Sequence, residues 1–142
     1  MGPKTWRKKE PQTERCGIDL YAEGQKNQWY IDSRCSKHIT GDKEKLQSYN
    51  ALEKEKKVLF GNDTPAVIKG KGFVLLKEKV KAGNFMYVDG LKHNLLSFSQ
   101  MCDQGNDVVF RSNGCVIREL DTRETVIKGI RIPNNLYILK RG

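Results

Sequence analysis

The chain has 142 residues, the size of a single domain that can bury a hydrophobic core. Hydrophobic residues make up 37% of it, and no run of about 18 apolar residues occurs, so no helix is predicted to span a membrane. The net charge of +9 predicts weak nonspecific attraction to nucleic acid, but lysines alternate with glutamates in residues 53–57, which favours a solvated surface.

The first 28 residues are polar, contain glycine and proline, and show little periodicity. This pattern predicts a flexible leader at residues 1–28, a folded domain at residues 29–139 and a short tail at residues 140–142. Trp29–Ile31 is a short apolar run, and we interpret it as the first core strand of the domain.

Short strands and turns fill the middle of the chain. After a helical turn at residues 44–50, strands are predicted at residues 57–60, 67–69, 72–76, 78–80 and 84–88. Gly61-Asn62-Asp63 is a predicted hairpin tip, because glycine and asparagine tolerate positive φ. The Gly70-Lys71-Gly72 break predicts a bulge or a close approach of the backbone.

One helix is predicted within Lys92–Gln104. Leu95, Phe98 and Cys102 recur there at a helical spacing and predict one apolar face, and Gly105 follows as a stop. Strands predicted at residues 107–111, 115–119, 124–127 and 136–139 form a meander with a hairpin at Ser112-Asn113-Gly114. Many short strands with one helix predict a mainly β fold, either a small β-barrel or a sandwich.

The four cysteines lie far apart at positions 16, 35, 102 and 115, with no Cys-x-x-Cys pair. We interpret them as reduced thiols of an intracellular, cytoplasmic protein. Cys35 and His38 supply only two ligands where a structural zinc site needs four, so neither a metal nor another cofactor is predicted. Both His38 and His93 are interpreted as surface residues.

The stretch from Trp29 to Gly41 delivers a carboxylate, Asp32, and then a hydroxyl, Ser33, at the end of an apolar strand. It resembles the protease segment of copia-type LTR retrotransposon polyproteins in the form common in plants, which usually reads Asp-Ser-Gly-Cys-Ser-Lys-His. Two further segments carry the resemblance: Val58–Asp63 is similar to the flap-forming hairpin of that family, and Tyr87–Gly105, with its Asn-Leu-Leu-Ser core, is similar to the segment after the flap.

The resemblance implies a small closed retropepsin-like β-barrel of a Pol polyprotein, with one short helix near residues 92–104. Asp32 would be the catalytic carboxylate and Ser33 would brace the site, whereas Phe60, Gly61, Asn62 and Asp63 would form the flap over a polyprotein peptide substrate. Aspartic proteases use two carboxylates that share one proton. This chain has one such motif, so activity implies a homodimer, inside a virus-like particle if the element is active.

Arg34 stands where the family motif has glycine. Its Cβ and long side chain conflict with a tight turn, and its permanent charge beside the dyad favours two ionised carboxylates, which removes the general acid. We therefore expect impaired catalysis, unless Arg34 swings outwards to solvent. The alternative hypothesis is a non-catalytic β-barrel module of a degenerate element, used for dimerisation or binding, in which Asp32 is vestigial.

Overall fold

The computed structural model describes residues 14–18, 28–77, 80–133 and 135–140. These residues form a mainly β fold with one short α-helix, as the sequence predicts. The strands are β1 (Glu14–Arg15), β2 (Trp29–Asp32), β3 (Ile39–Thr40), β4 (Gln47–Phe60), β5 (Thr64–Lys77), β6 (Val80–Val88), β7 (Asn94–Leu96), β8 (Asn106–Arg111), β9 (Gly114–Glu119), β10 (Thr125–Ile132) and β11 (Leu136–Lys140). The helix α1 is Phe98–Asp103, and a 3-10 helix at Lys43–Lys45 precedes β4. Within the described ranges no helix has the length and apolar character needed to cross a bilayer.

Hydrogen bonds join the strands into one eleven-stranded sheet, in the order β1-β4-β5-β6-β3-β7-β2-β11-β10-β9-β8. In the part of the chain that the structure describes, β1 and β8 are the two edges, so hydrogen bonds leave the sheet open. The expected barrel-like β fold is confirmed, but its closure is not found. Closure would need ladder hydrogen bonds between these two edge strands, and the described residues of β1 and β8 do not pair.

β2 lies in the middle of the sheet, between the parallel β7 and the antiparallel β11. All four of its residues are buried. Trp29 and Ile31 belong to one hydrophobic cluster and Tyr30 to the other, because successive side chains of a strand point to opposite faces of the sheet. A strand with two buried faces reads as a continuous apolar run, which explains the sequence before Asp32.

Two tight turns are where the sequence predicts them. Gly61-Asn62-Asp63 connects the long strands β4 and β5, and Asp63 takes the positive φ at this tip. Arg111 pairs with Gly114 across the turn Ser112-Asn113, which joins β8 and β9. Both predicted hairpins are therefore confirmed.

The two glycines of β5 allow other parts of the backbone and side chains to come close. A Cβ on Gly70 would overlap the Tyr49 hydroxyl, and one on Gly72 would lie 2.6 Å from the carbonyl oxygen of Gln47. The β5–β6 register also shifts on either side of this glycine pair. The predicted bulge and close approach at Gly70–Gly72 are confirmed.

The helix is shorter than the prediction of residues 92–104. Asn94–Leu96 forms β7, with Leu95 in one hydrophobic cluster and Leu96 in the other, so this part follows the period of a strand. The helix begins after Ser97, whose Oγ accepts the backbone N–H of Gln100 as an N-cap. The predicted helical stripe therefore spans two elements, and its last member, Cys102, is exposed.

Candidate functional site

Asp32 is the last residue of β2 and is only 1% exposed. Its Oδ1 accepts the backbone N–H of Arg34 at 2.9 Å. Its Oδ2 accepts the backbone N–H of Gly17 at 2.8 Å and of Ile18 at 3.1 Å. Three N–H donors compensate the burial of this carboxylate, since a buried charge needs hydrogen-bonded partners. The predicted catalytic group therefore holds two separate segments of the chain together.

Ser33 and Arg34 form the turn after Asp32, and both are exposed. The Ser33 Oγ donates to the carbonyl oxygen of Asn135 at 3.0 Å, which ties the turn to the start of β11. Arg34 is not one of the described non-glycine residues with positive φ, so this turn makes no conformational demand for glycine. The Arg34 side chain is exposed but lies across the strap, because a Cβ on Gly17 would be 3.0 Å from Arg34 Cδ and 3.1 Å from Asp32 Oδ1.

Residues 14–18, which we call the strap, join the Asp32 turn to the β4–β5 hairpin. The strap pairs in parallel with β4, and the Cys16 N–H donates to the Leu59 carbonyl at 2.9 Å. The Gly61 N–H donates to the Ile18 carbonyl at 2.8 Å. The strap thus lies extended between the hairpin and Asp32, with backbone hydrogen bonds to both.

The strap is the part of this site that sequence analysis missed, since it assigned residues 14–18 to the leader. Cys16 and Ile18 are each 5% exposed and lie in the same hydrophobic cluster as Phe60. Apolar residues at positions 16 and 18 on either side of Gly17 are a short period-two signal that could have indicated a strand. The prediction of flexibility for residues 1–13 and 19–27 falls outside the described residues.

A disulfide links Cys16 of the strap to Cys35 of the Asp32 turn. The prediction that all four cysteines are reduced thiols is wrong for this pair, because the strap brings Cys16 against Cys35 despite their separation in sequence. Cys102 and Cys115 are free thiols, the first exposed and the second buried. Burial raises the pKa of the Cys115 thiol to about 11.

The predicted flap residues divide into two groups. Phe60 is buried in the hydrophobic core, so it anchors the hairpin. Asn62 and Asp63 are exposed at the tip, next to the half-buried Gly61. Asp63 forms an ion pair with Arg15 of the strap at 2.8 Å, which ties the tip to the segment beneath it.

Possible metal ligands gather around the disulfide. Cys16, Asp32 and Cys35 each offer a ligand atom, and these atoms lie within 4.8 Å of one another. The two sulfur atoms are bonded to each other and the carboxylate accepts three N–H groups, so this set is committed to other bonds. The Nδ1 atom of His38 accepts the Ser97 N–H at 2.9 Å, which removes it as a partner for Cys35 in a zinc site.

Both histidines are buried, so their predicted surface positions are wrong. His38 stacks on Phe85, with ring centroids 4.7 Å apart, and burial lowers its pKa to about 4. His93 packs edge-on against Tyr30 at 5.1 Å between centroids. The burial of both histidine rings follows from the core on the two faces of β2, which covers polar residues that a half-exposed sheet would leave in water.

These features define a small barrel-like β domain in which a buried aspartate at a strand end is joined through a strap to a long hairpin. A family model described as Pol polyprotein, beta-barrel domain, matches residues 29–106, more than half of the chain. The chain belongs to this family, which confirms the prediction of a Pol polyprotein domain. Searches among curated proteins and among solved structures find no match. The matched segment ends at the first residue of β8, so most of the meander β8–β11 lies beyond it.

Proposed function

We propose that this chain is the aspartic protease-like domain of a copia-type retrotransposon Pol polyprotein in its plant form, and that it binds extended peptides between the β4–β5 hairpin and the Asp32 turn. The observation that carries the proposal is the strap. Residues 14–18 run between these two elements as an extended segment, with backbone hydrogen bonds to Leu59, Gly61 and Asp32. Backbone pairing of this kind is how extended peptides are recognised by strand addition.

The hydrolytic step needs a second copy of the chain. One ionised carboxylate takes a proton from the attacking water, and one protonated carboxyl group stabilises the developing oxyanion. A single chain supplies Asp32 alone, so the dyad requires two subunits related by a two-fold axis. The exposed Ser33–Arg34 turn, next to Asp32, is the surface that would face the partner subunit.

Arg34 determines how active such a dimer is. Its exposed side chain leaves the turn intact in one chain, but two guanidinium groups would approach each other and the dyad in the dimer. We expect Arg34→Gly to raise peptidase activity and Asp32→Asn, added to Arg34→Gly, to lower it by about a hundredfold or more, because an amide cannot act as the base.

The test is peptide cleavage at pH 5–7, with and without pepstatin, on protein whose association is followed by sedimentation. Asp121→Asn is the matched control, since it makes the same chemical change at an exposed turn far along the chain. Thermal melts of each variant separate loss of chemistry from loss of folding, because the Asp32→Asn substitution would also give up part of the N–H contacts that the carboxylate makes.

A second candidate function is a non-catalytic binding or dimerisation module. The favouring observation is that the Asp32 carboxylate is buried and accepts three backbone N–H groups, which is the environment of a structural aspartate. This alternative expects dimers or peptide binding without pepstatin-sensitive cleavage in either the original chain or the Arg34→Gly variant.

A further inference from the structure

We propose that the strap, Glu14–Ile18, is an intramolecular inhibitor of the peptide groove, and that the Cys16–Cys35 disulfide is a redox latch that holds it in place. The inference rests on the proposed function, because it concerns access to the same groove. In the oxidised chain the groove is occupied by the protein's own backbone. In the reduced chain the strap can leave and a substrate peptide can enter.

The strap occupies the hydrogen-bonding groups that a substrate would need. On one side it uses the Leu59 carbonyl and the Gly61 N–H of the hairpin. On the other side the Gly17 and Ile18 N–H groups fill Oδ2 of Asp32. A carboxylate that accepts these bonds is covered and cannot bind the attacking water, so the strap blocks both binding and chemistry.

Without its covalent link the strap is held weakly. Only Cys16 and Ile18 bury their side chains, whereas the Arg15–Asp63 ion pair and the hydrogen bond from Ser36 Oγ to the Glu14 carboxylate lie at the surface. Exposed ion pairs contribute little. Ordering five residues costs conformational entropy comparable with what a few hydrogen bonds and two small buried side chains return. The non-covalent contacts are therefore close to balance, and the disulfide decides the equilibrium.

The disulfide lies where it can hold the strap in the groove. It joins the centre of the strap to the Asp32 turn, so it keeps the strap at a high effective concentration over the groove. A dithiol reductant releases it in two steps. One thiolate attacks Cys16 or Cys35, forming a mixed disulfide while the other cysteine leaves as a thiolate and takes up a proton. The second thiol of the reductant then displaces the remaining cysteine, which yields the cyclic disulfide of the reductant and two cysteine thiols.

The experiment compares oxidised and dithiothreitol-reduced protein by amide hydrogen exchange, with peptide cleavage as a second readout. We expect the Gly17 and Ile18 amides to exchange at least about tenfold faster after reduction, while the amides of β2 and β7 keep their protection. The Cys16→Ser variant should behave like reduced protein in both conditions. Cys102→Ser, which removes an exposed free thiol, should keep the full redox response.

The outcomes separate the two proposals. Faster exchange of the strap with cleavage only in reduced protein supports both of them. Faster exchange without cleavage in any form, Arg34→Gly included, supports the latch and overturns the proposed hydrolysis. Equal exchange of Gly17 and Ile18 in both redox states overturns the latch, and so does cleavage that is equally fast in oxidised and reduced protein. The proposed hydrolysis stands wherever pepstatin-sensitive cleavage is measured. Reduced wild-type protein provides the same comparison if Cys16→Ser does not fold.

Discussion

Acidification should destabilise this domain through His38. The ring is fully buried against Phe85, and its Nδ1 accepts the Ser97 N–H, so the neutral form is the one that fits the site. Burial lowers the pKa of His38 to about 4, from 6.5 in an unfolded chain. The unfolded state therefore binds more protons between these two values, and stability is lost as the pH falls through this window. As the pH rises above 6.5 the ring becomes neutral in both states and the effect fades.

The two pKa values set the size of the effect. Integrating the linkage relation gives a loss of about 2 kcal/mol at pH 5 and about 3 kcal/mol near pH 4, relative to neutral pH. Such a loss is a large fraction of the 5–15 kcal/mol that is typical of the net stability of a folded domain. Any assay of this domain in acid would then lose folded protein.

The assay is urea denaturation at several pH values between 7.5 and 4.5, on wild-type protein and on His38→Asn. Asparagine keeps an acceptor for the Ser97 N–H and does not titrate in this range. The variant has a cavity and is less stable overall, so the comparison uses the slope of stability against pH. We expect the wild-type curve to fall more steeply, by about 2 kcal/mol over the interval to pH 5. Parallel curves would refute the reasoning, since they would mean that His38 is protonated as easily in the folded state as in the unfolded state.

Two further predictions concern packing and thiol chemistry. Gly41→Ala should lower the free energy of unfolding by about 3 kcal/mol, because the new Cβ would overlap the Leu91 carbonyl oxygen. Gly83→Ala should change it by less than about 0.5 kcal/mol, because the atom nearest to the new Cβ is 3.6 Å away. Equal denaturation midpoints for the two variants would contradict this. Iodoacetamide at pH 8 should label Cys102 and leave Cys115 unmodified in folded protein, because Cys115 is buried and its pKa is raised to about 11. Peptide mass spectrometry measures the labelling of each cysteine, and equal labelling of the two would contradict the prediction.

Local chemistry made part of the structure predictable. The turns at Gly61-Asn62-Asp63 and Ser112-Asn113-Gly114 carry residues that favour their backbone conformations, so they could be placed from sequence alone. The strand β2 could also be placed from sequence alone, because its continuous apolar run ends at Asp32. The glycine pair in β5 indicated that another part of the chain comes close to the backbone, but the sequence could not identify which residues do so.

Contacts between distant segments were not predictable in the same way. The pairing of the strap with β4 and the Cys16–Cys35 bond depend on tertiary placement, and no spacing rule gives them. The Leu95-Leu96 pair fits a helical pattern with Phe98 and also fits a strand pattern. The segment forms a strand because it pairs in parallel with β2. The burial of His38 likewise depends on packing that closes around it from other elements.

The pairing of β2 with β11 has a consequence for when the Asp32 region can form during synthesis. Ser33 and Asn135, whose hydrogen bond ties the turn to β11, are 102 residues apart in the sequence. Contacts of such separation require a large loop to close, which slows folding, and a chain emerging from the ribosome cannot make them until nearly the whole domain is available. Until β11 arrives, the edge of β2 that faces away from β7 has no strand partner, and Asp32 lacks Leu136, the residue that pairs with it in the ladder. The Asp32 turn should therefore be among the last parts of the nascent domain to reach its final geometry.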